Sequence, residues 1–439
     1  MTTIKTALDD FIDILGHDEI SNAAKTTTRG FTQPRKITLL DVLLFYTLRF
    51  AETTNKDISA FFSKLDKPKV SKQAMFKALN KTNPNVFPLI IRQMAEKFYS
   101  HMDYDTLDGY IVLACDGSKM DLPPTDELKE RFGGYLNKTI KTYDQVKKPM
   151  ANCSVLIDIL NHVILDAAIE PCMTSELPML FQHLENCEEM LRGKKVILLC
   201  DRYYGSAELF LYCMLHGYNF IVRNKSYTYK HHVAKVEHEY TLDGKKRKQE
   251  PTVIDAVYLT NLDSSTYSTA DILQLYHIQR WDNETAYFDI KNHLESERFN
   301  SGKYNIVVNE LYGKILCYTL CGRFYDAADK QNIAKYSEEG QTTRYDYIPN
   351  MKNIADTIRV EYKILQYFSG KMTPADVADY LNELVLDFSK RTVPVRPGRH
   401  YKRWGRWMPS IPTYKFRVDG RRNPPIDKCY KTNGYMTKQ

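Results

Sequence analysis

Three acids in this sequence stand where chemistry can be done. Asp116 follows directly from the apolar run GYIVLAC, and Asp201 follows directly from KVILLC. A carboxylate at the end of a buried strand sits at the rim of a sheet, where the sites of open α/β folds gather. If the two strands are neighbours, the carboxylates converge, and two close carboxylates repel unless a cation is shared between them. Oxygen-only ligation favours Mg2+ or Mn2+. Each Asp can equally cap the turn that follows its strand. The third acid, Glu284, lies in LYHIQRWDNETAYFDIKNHLESE. At about 100° per residue, Tyr276, Arg280, Glu284, Tyr287 and Lys291 fall on one helical stripe roughly 80° wide. An exposed helix laced with Arg–Glu–Lys pairs accounts for the charges but poorly for the two tyrosines. A functional reading accounts for all five: the glutamate completes a metal site, Arg and Lys hold a phosphate, and a tyrosine hydroxyl donates to it.

Other residues near these acids read more plainly. Asp121, next to Leu-Pro-Pro, reads as a turn residue. His277 and His293 lie beside the stripe without a helix-matched carboxylate and read as surface histidines. Trp281 reads as core packing. No glycine-rich phosphate loop of the nucleotide-binding type is present in the sequence, which argues against an ATP-dependent partner reaction.

The elements that must position these residues can be read along the chain. The first hundred residues are helical in pattern. Thr38 can cap LLDVLLFYTLRF, Asn55 can open KDISAFFSKL, and Ser71 can cap KQAMFKALNK after the breaker Lys67-Pro68-Lys69. Six Lys and one acid lie between Lys64 and Lys81, with Lys69, Lys72 and Lys77 among them. Two short helices with a lysine-rich second member suggest a helix-turn-helix that approaches DNA, or a helical cap with a solvated face. The middle changes to short, β-branched apolar runs at 109–115, 150–160 and 162–169, with Asn161 as the turn between the last two. A helix at 175–192, a strand at 195–200, a helix at 206–216 and a strand at 218–223 follow. The order β-β-β-α-β-α-β predicts a mixed α/β sheet covered by helices. Residues 224–268 read as a β-rich insertion with strands near 233–242 and 252–260. Helical patterns resume at 270–298, 307–326, 351–368 and 374–389, and the hydrophilic stretch 327–348 reads as a surface loop.

Composition sets the outer limits. The chain has 439 residues, 61 Lys+Arg, 54 Asp+Glu and a formal net charge of +7. From Lys390 onward there are fourteen Lys/Arg and two Asp/Glu, which leaves 47 basic and 52 acidic residues before it. The excess is therefore a property of the tail, a net of +12 against −5 for the body. In that tail RPGRHYKRWGRW interleaves Arg399, Lys402, Arg403 and Arg406 with aromatics, a pattern suited to backbone contact and base stacking. Neither a membrane span nor a secretory signal is expected, because the sequence has no eighteen-residue apolar run and its start lacks a charged leader followed by an apolar core. Nine scattered cysteines read as buried free thiols in a reducing compartment. Cys317 and Cys321, four apart in an apolar helical pattern, read as packing rather than a zinc site.

With these motifs in order, the sequence resembles the DDE transposases of the bacterial insertion-sequence group typified by the "four" family. The mark of that family is a helix carrying Tyr, Arg, Glu and Lys, in which Arg–x3–Glu–x6–Lys follows the Tyr. Arg280, Glu284 and Lys291 match the spacing. Three residues separate Tyr276 from Arg280 where the family has two, which leaves Tyr287 as a substitute. LTNLDSSTYSTADILQLYHIQRW, ESERFNSGKYNIVVNELYGKIL, the DGS at Asp116 and DRYYGSAELF at Asp201 extend the likeness over roughly 105–325.

The resemblance implies an α/β fold with an RNase H-like catalytic core at 105–325, interrupted by the insertion at about 224–268. Around it would lie a helical DNA-binding region at 1–100, helices at 326–389 and a basic tail at 390–439. It implies that Asp116, Asp201 and Glu284 bind two divalent ions, Mg2+ or Mn2+, for strand cleavage and strand transfer at terminal inverted repeats. The expected partners are double-stranded element ends and target DNA, engaged by a homodimer without any membrane, in a bacterial cytoplasm at the nucleoid. The insertion lysines 225, 230, 235, 245, 246 and 248 are suited to DNA contact, and Trp281 to stacking on an extruded base. A non-catalytic DNA-binding derivative, and a nuclease of the same fold that does not join strands, are the alternatives of other classes.

Overall fold

The computed structural model describes residues 2–28, 30–32, 35–49, 53–101, 103–135, 142, 146, 148–224, 236–241, 252–339, 346–360 and 362–395. Within these, the side chains at 2, 3, 101, 236–241, 252–256, 277–284, 335–339, 362 and 374 lie outside the description. The chain opens with helices α1 (Thr2–Gly16), α2 (Asp18–Ala23), α3 (Leu39–Leu48), α4 (Thr54–Lys64), α5 (Lys72–Leu79) and α6 (Val86–His101). Thr38 caps α3 in a capping box with Asp41, and the Ser71 hydroxyl accepts from the Ala74 amide at the start of α5, so both sequence signals act as read. The start of α4 lies earlier than Asn55, with Thr53 at its N-cap.

The sheet follows: β1 (Tyr110–Asp121), α7 (Asp126–Phe132), β2 (Met150–Asp158), β3 (Val163–Pro171), α8 (Glu176–Asn186), α9 (Glu188–Leu191), β4 (Lys195–Cys200), α10 (Ala207–Leu215) and β5 (Asn219–Asn224). The expected insertion supplies β6 (Val236–Thr241) and β7 (Thr252–Thr260). Among the described residues the strands form one seven-stranded sheet in the order β3-β2-β1-β4-β5-β7-β6. β1, β4 and β5 run parallel, while β2 is antiparallel to β1 and to β3, and β7 is antiparallel to β5 and to β6. The insertion is thus an extension of the main sheet.

Next come α11 (Thr269–Phe288), a π-turn at Asp289–His293, and α12 (Tyr304–Glu339). The chain then continues through β8 (Tyr347–Pro349), α13 (Met351–Val360), α14 (Tyr362–Phe368), α15 (Pro374–Lys390) and β9 (Thr392–Pro394), which pairs with β8. α12 corrects the reading of 327–348 as a loop: the helix continues through Glu339 although its apolar pattern ends near 326. Residues 396–439, and with them the basic tail and Cys429, lie outside the described residues.

Strand alternation divides the core in two. Val112, Ala114, Ile197 and Leu199 face one side, where they join α12, α13, α15 and the N-terminal helices in one apolar cluster. Ile111, Leu113, Cys115, Val196, Leu198 and Cys200 face the other, against α8, α9 and α10. The helices before β1 therefore share their core with the helices after α11. The eight described cysteines are free and buried, as expected, and among the described residues no helix is long and apolar enough to cross a membrane.

Candidate active site

β1 and β4 are parallel neighbours from Tyr110↔Lys195 to Ala114↔Leu199. Two steps beyond the last pair, the same offset sets Asp116 beside Asp201, on strands that lie about 4.8 Å apart. Because Ala114 faces the helical side with α12, Asp116, the next residue of the same parity on β1, faces it too, while Asp201 directly follows the last residue of β4. β1 does not stop there. It continues to Asp121 paired with β2 alone, so the segment after Asp116 is flanked on its other side by the turn after β4. Asp116, Gly117, Ser118 and Lys119 are accordingly half-buried in the middle of a strand.

Each carboxylate also serves its local turn. Asp116 Oδ1 accepts from the Gly117 amide at 2.9 Å, and Asp201 Oδ1 accepts from the Tyr203 amide at 2.7 Å. The turn-capping role read from the sequence is therefore present, and it uses one oxygen of each acid.

α11 packs against β1 and β4. Tyr276, 1% exposed, donates its hydroxyl to the carbonyl of Cys200 at 3.3 Å, one residue before Asp201. Tyr287, 5% exposed, has its phenol oxygen 2.7 Å from the Asp116 carbonyl and 3.0 Å from that of Cys153, and the Val155 main chain bonds to it. A phenol thus lies beside the β1–β2 pairing at Asp116, and burial pushes its ionisation well up. Lys291, in the π-turn, donates to the Lys119 carbonyl at 2.8 Å. The stripe read from the sequence is real at these three positions, but its task differs from the expected one. Both tyrosines are buried and bond to main-chain carbonyls. The side chains of Arg280, Trp281, His277 and Glu284 fall outside the described residues.

A further carboxylate, which sequence reasoning missed, stands beside the pair. Glu176, the first residue of α8, lies over Gly117 so closely that a Cβ there would meet its Cδ at 2.4 Å. Its carboxylate is 4.0 Å from Lys119 Nζ, and Tyr204 donates to it at 3.4 Å. Burial raises the Glu176 pKa, opposed by the Lys119 charge, with the nearby charge of Asp201 raising it further. In the sequence Glu176 looks like an ordinary helix-opening acid; only the chain's return past β1 makes it a neighbour of the site.

The minor candidates resolve simply. Asp121 ends β1 as an ion pair with Lys148 rather than sitting in a turn. His293 has a helix-matched partner after all, with Nδ1 2.8 Å from Asp289. Lys69, Lys72 and Lys77 are exposed around α5, whereas Lys67 is paired with Asp41 at 2.6 Å and Lys64 bonds to the Val360 carbonyl. The insertion lysines and Arg399, Lys402, Arg403 and Arg406 lie outside the described residues.

Among the described residues no group of three or more His, Cys, Asp and Glu is arranged to hold a metal ion. The two aspartates nonetheless suit a hard divalent cation, since Asp116 lies on β1, Asp201 directly follows its parallel neighbour β4, and each uses one carboxylate oxygen in its local turn. The third carboxylate expected there is one whose side chain falls outside the description.

No curated protein matches the chain. In a cryo-electron-microscopy structure of the piggyBac transposase synaptic complex with hairpin DNA, the similar chain is 10% identical. The match covers 89% of this chain and 86% of that one at a TM-score of 0.44. Residues 108–320, which span β1, both aspartates, α11 and half of α12, match a family model described as a transposase DDE domain.

Proposed function

We propose that this chain is a DDE transposase that cleaves DNA at the inverted-repeat ends of an insertion sequence of the "four" family and joins the freed strands to target DNA. The observation that carries the reading is the attachment of α11 to the main chain at Asp116 within β1 and at Cys200, directly before Asp201. Position 284 falls between Tyr276 and Tyr287 and within about 80° of each around the helix. That spacing supports Glu284 as the third carboxylate beside Asp116 and Asp201. An RNase H-like description of the core draws support from the same arrangement, with one acid inside β1 and the other directly after its parallel neighbour β4 in a mixed sheet.

Asp116, Asp201 and Glu284 would hold two divalent ions, Mg2+ or Mn2+. When bound, such ions activate water or a DNA 3′-hydroxyl and stabilise the leaving oxygen of an in-line displacement. Arg280 and Lys291 hold backbone phosphate near the scissile bond, positioning it without reading sequence. The Lys291 ammonium keeps donors to spare beyond the Lys119 carbonyl, because it carries three protons. Lys69, Lys72 and Lys77, and in the tail Arg399, Lys402, Arg403 and Arg406, bind phosphate further out. Strand transfer requires two ends held together, so a homodimer assembles on DNA in the bacterial cytoplasm.

The test is cleavage of end-bearing DNA with Mg2+ by the wild type and by Asp201→Ala. The substitution is expected to lower the rate by at least about a thousandfold, equivalent to several kcal/mol of lost stabilisation. Undiminished cleavage by the variant would sink the metal assignment. Cleavage without joined products would make the protein a nuclease, and DNA binding without cleavage by the wild type would make it a non-catalytic derivative.

A further inference from the structure

Behind the first acid, on the face opposite α11, buried polar side chains from three elements are bonded in a row. Asp166 on β3, His183 on α8 and Ser154 on β2 are 2%, 0% and 0% exposed. Asp166 Oδ2 is 2.8 Å from His183 Nδ1, and His183 Nε2 is 3.0 Å from Ser154 Oγ. Ser154 Oγ in turn donates to the main-chain carbonyl of Asp116 at 3.4 Å. Asp166 is anchored at the far end by Arg92 at 2.8 Å and Asn186 at 2.9 Å. Burial raises the Asp166 pKa, but the bond and charge of His183, with Asn186 and Arg92, more than offset this and hold it low.

The order Asp–His–Ser is that of hydrolytic triads, but every link is sealed from solvent, so no substrate reaches the hydroxyl. Nor does stability explain the chain, because apolar residues of similar volume commonly serve a core as well as buried ions do. What distinguishes it is where it ends. The Asp116 carbonyl takes Tyr287 from the front and Ser154 from behind, so the peptide unit after Asp116 is gripped from both faces of the sheet. The same α8 that carries His183 also seats Glu176 against Gly117, a second point of contact with this peptide. Rotation of that unit would turn the Gly117 amide that holds Asp116 Oδ1 at 2.9 Å, and a ligand displaced by a fraction of an ångström no longer meets its partner.

We propose that Ser154, held by His183 and Asp166, is a positioning residue that fixes the main chain at Asp116 and thereby sets the affinity of the site for a divalent cation. This rests on the transposase reading only in taking Asp116 as a metal ligand. The test measures Mn2+ binding to the full-length protein without DNA, by electron paramagnetic resonance of the free ion, for wild type, Asp201→Ala, Ser154→Ala and Ser154→Thr. Thermal melts of the same samples show that each variant is folded. Ser154→Ala is expected to weaken Mn2+ binding about tenfold, as loss of an outer-shell partner does. Ser154→Thr, which keeps the hydroxyl, is expected to restore binding to near the wild-type level. Mn2+ affinity of Ser154→Ala within about twofold of wild type would overturn the proposal, as would Ser154→Thr behaving like Ser154→Ala. Wild type that fails to bind Mn2+, or Asp201→Ala that binds it equally well, would instead remove the metal site itself.

Discussion

A phenol buried in a sheet loses the hydration of its hydroxyl unless the protein supplies partners. Tyr287 finds them beside the β1–β2 pairing, in the Asp116 and Cys153 carbonyls and the Val155 main chain, and Tyr276 by bonding to Cys200. The tyrosines therefore act as struts between a helix and two strands. Tyr287→Phe fills the same space but leaves the Asp116 and Cys153 carbonyls and the Val155 amide without their shared partner. It is expected to destabilise the fold by about 1–3 kcal/mol, measured by denaturant unfolding. An unchanged midpoint would show that these groups find other partners. The same variant should leave DNA binding without metal unaltered, because the hydroxyl is not at the surface. Both tyrosines were legible as members of one helical stripe, since periodicity reports which residues share a face. Their inward duty was not, because spacing along a helix does not say what that face meets.

At the scale of elements, α12 is the spine of the helical layer. Its 36 residues extend about 54 Å, and two glycines let it approach its neighbours. A Cβ at Gly313 would meet the Tyr46 carbonyl oxygen of α3 at 2.4 Å, and one at Gly322 would meet His162 at 2.7 Å. Gly313→Ala is expected to cost about 1–3 kcal/mol, because backbone rather than a movable side chain must yield. A melting temperature equal to wild type would show that α3 and α12 can separate freely. Neither glycine announces its task in the sequence, where a glycine inside a helical pattern reads merely as a weak spot. The capping serines and threonines were legible because their partners are three residues away. The tail end of α12 and the polar half of β1 were not, because both are polar segments that continue an apolar one. β1 is held in its polar half by a non-local partner, β2. Glu176 escaped notice for the same reason: a residue 59 positions after Gly117 acquires its meaning only when the chain returns.

For the whole molecule, the charge is divided between a slightly acidic body and a basic tail. The carboxylates of Asp116 and Asp201 repel phosphate until cations are present, while the tail attracts it without them. β9 pairs with β8 through Pro394, so the cut that spares the fold falls after Val395. From that point there are twelve Lys/Arg. Removing this segment is expected to weaken DNA binding and to flatten the dependence of log affinity on log salt concentration, in proportion to the number of phosphates the tail neutralises. Mn2+ binding should be unaffected. A salt slope identical to that of the full chain would mean that the tail does not touch DNA.

The hairpin of β6 and β7 has a second consequence, which concerns association rather than DNA. By pairing with β5 along Ile221–Asn224, β7 occupies a row of main-chain donors and acceptors that would otherwise mark the rim of the sheet. Rims of that kind invite strands from other molecules. Excising 225–260 to remove its lysines would bare this rim, and the trimmed protein would self-associate through it. Loss of DNA binding in such a deletion would then report aggregation. Charge-neutralising substitutions that keep the hairpin paired can separate the two effects.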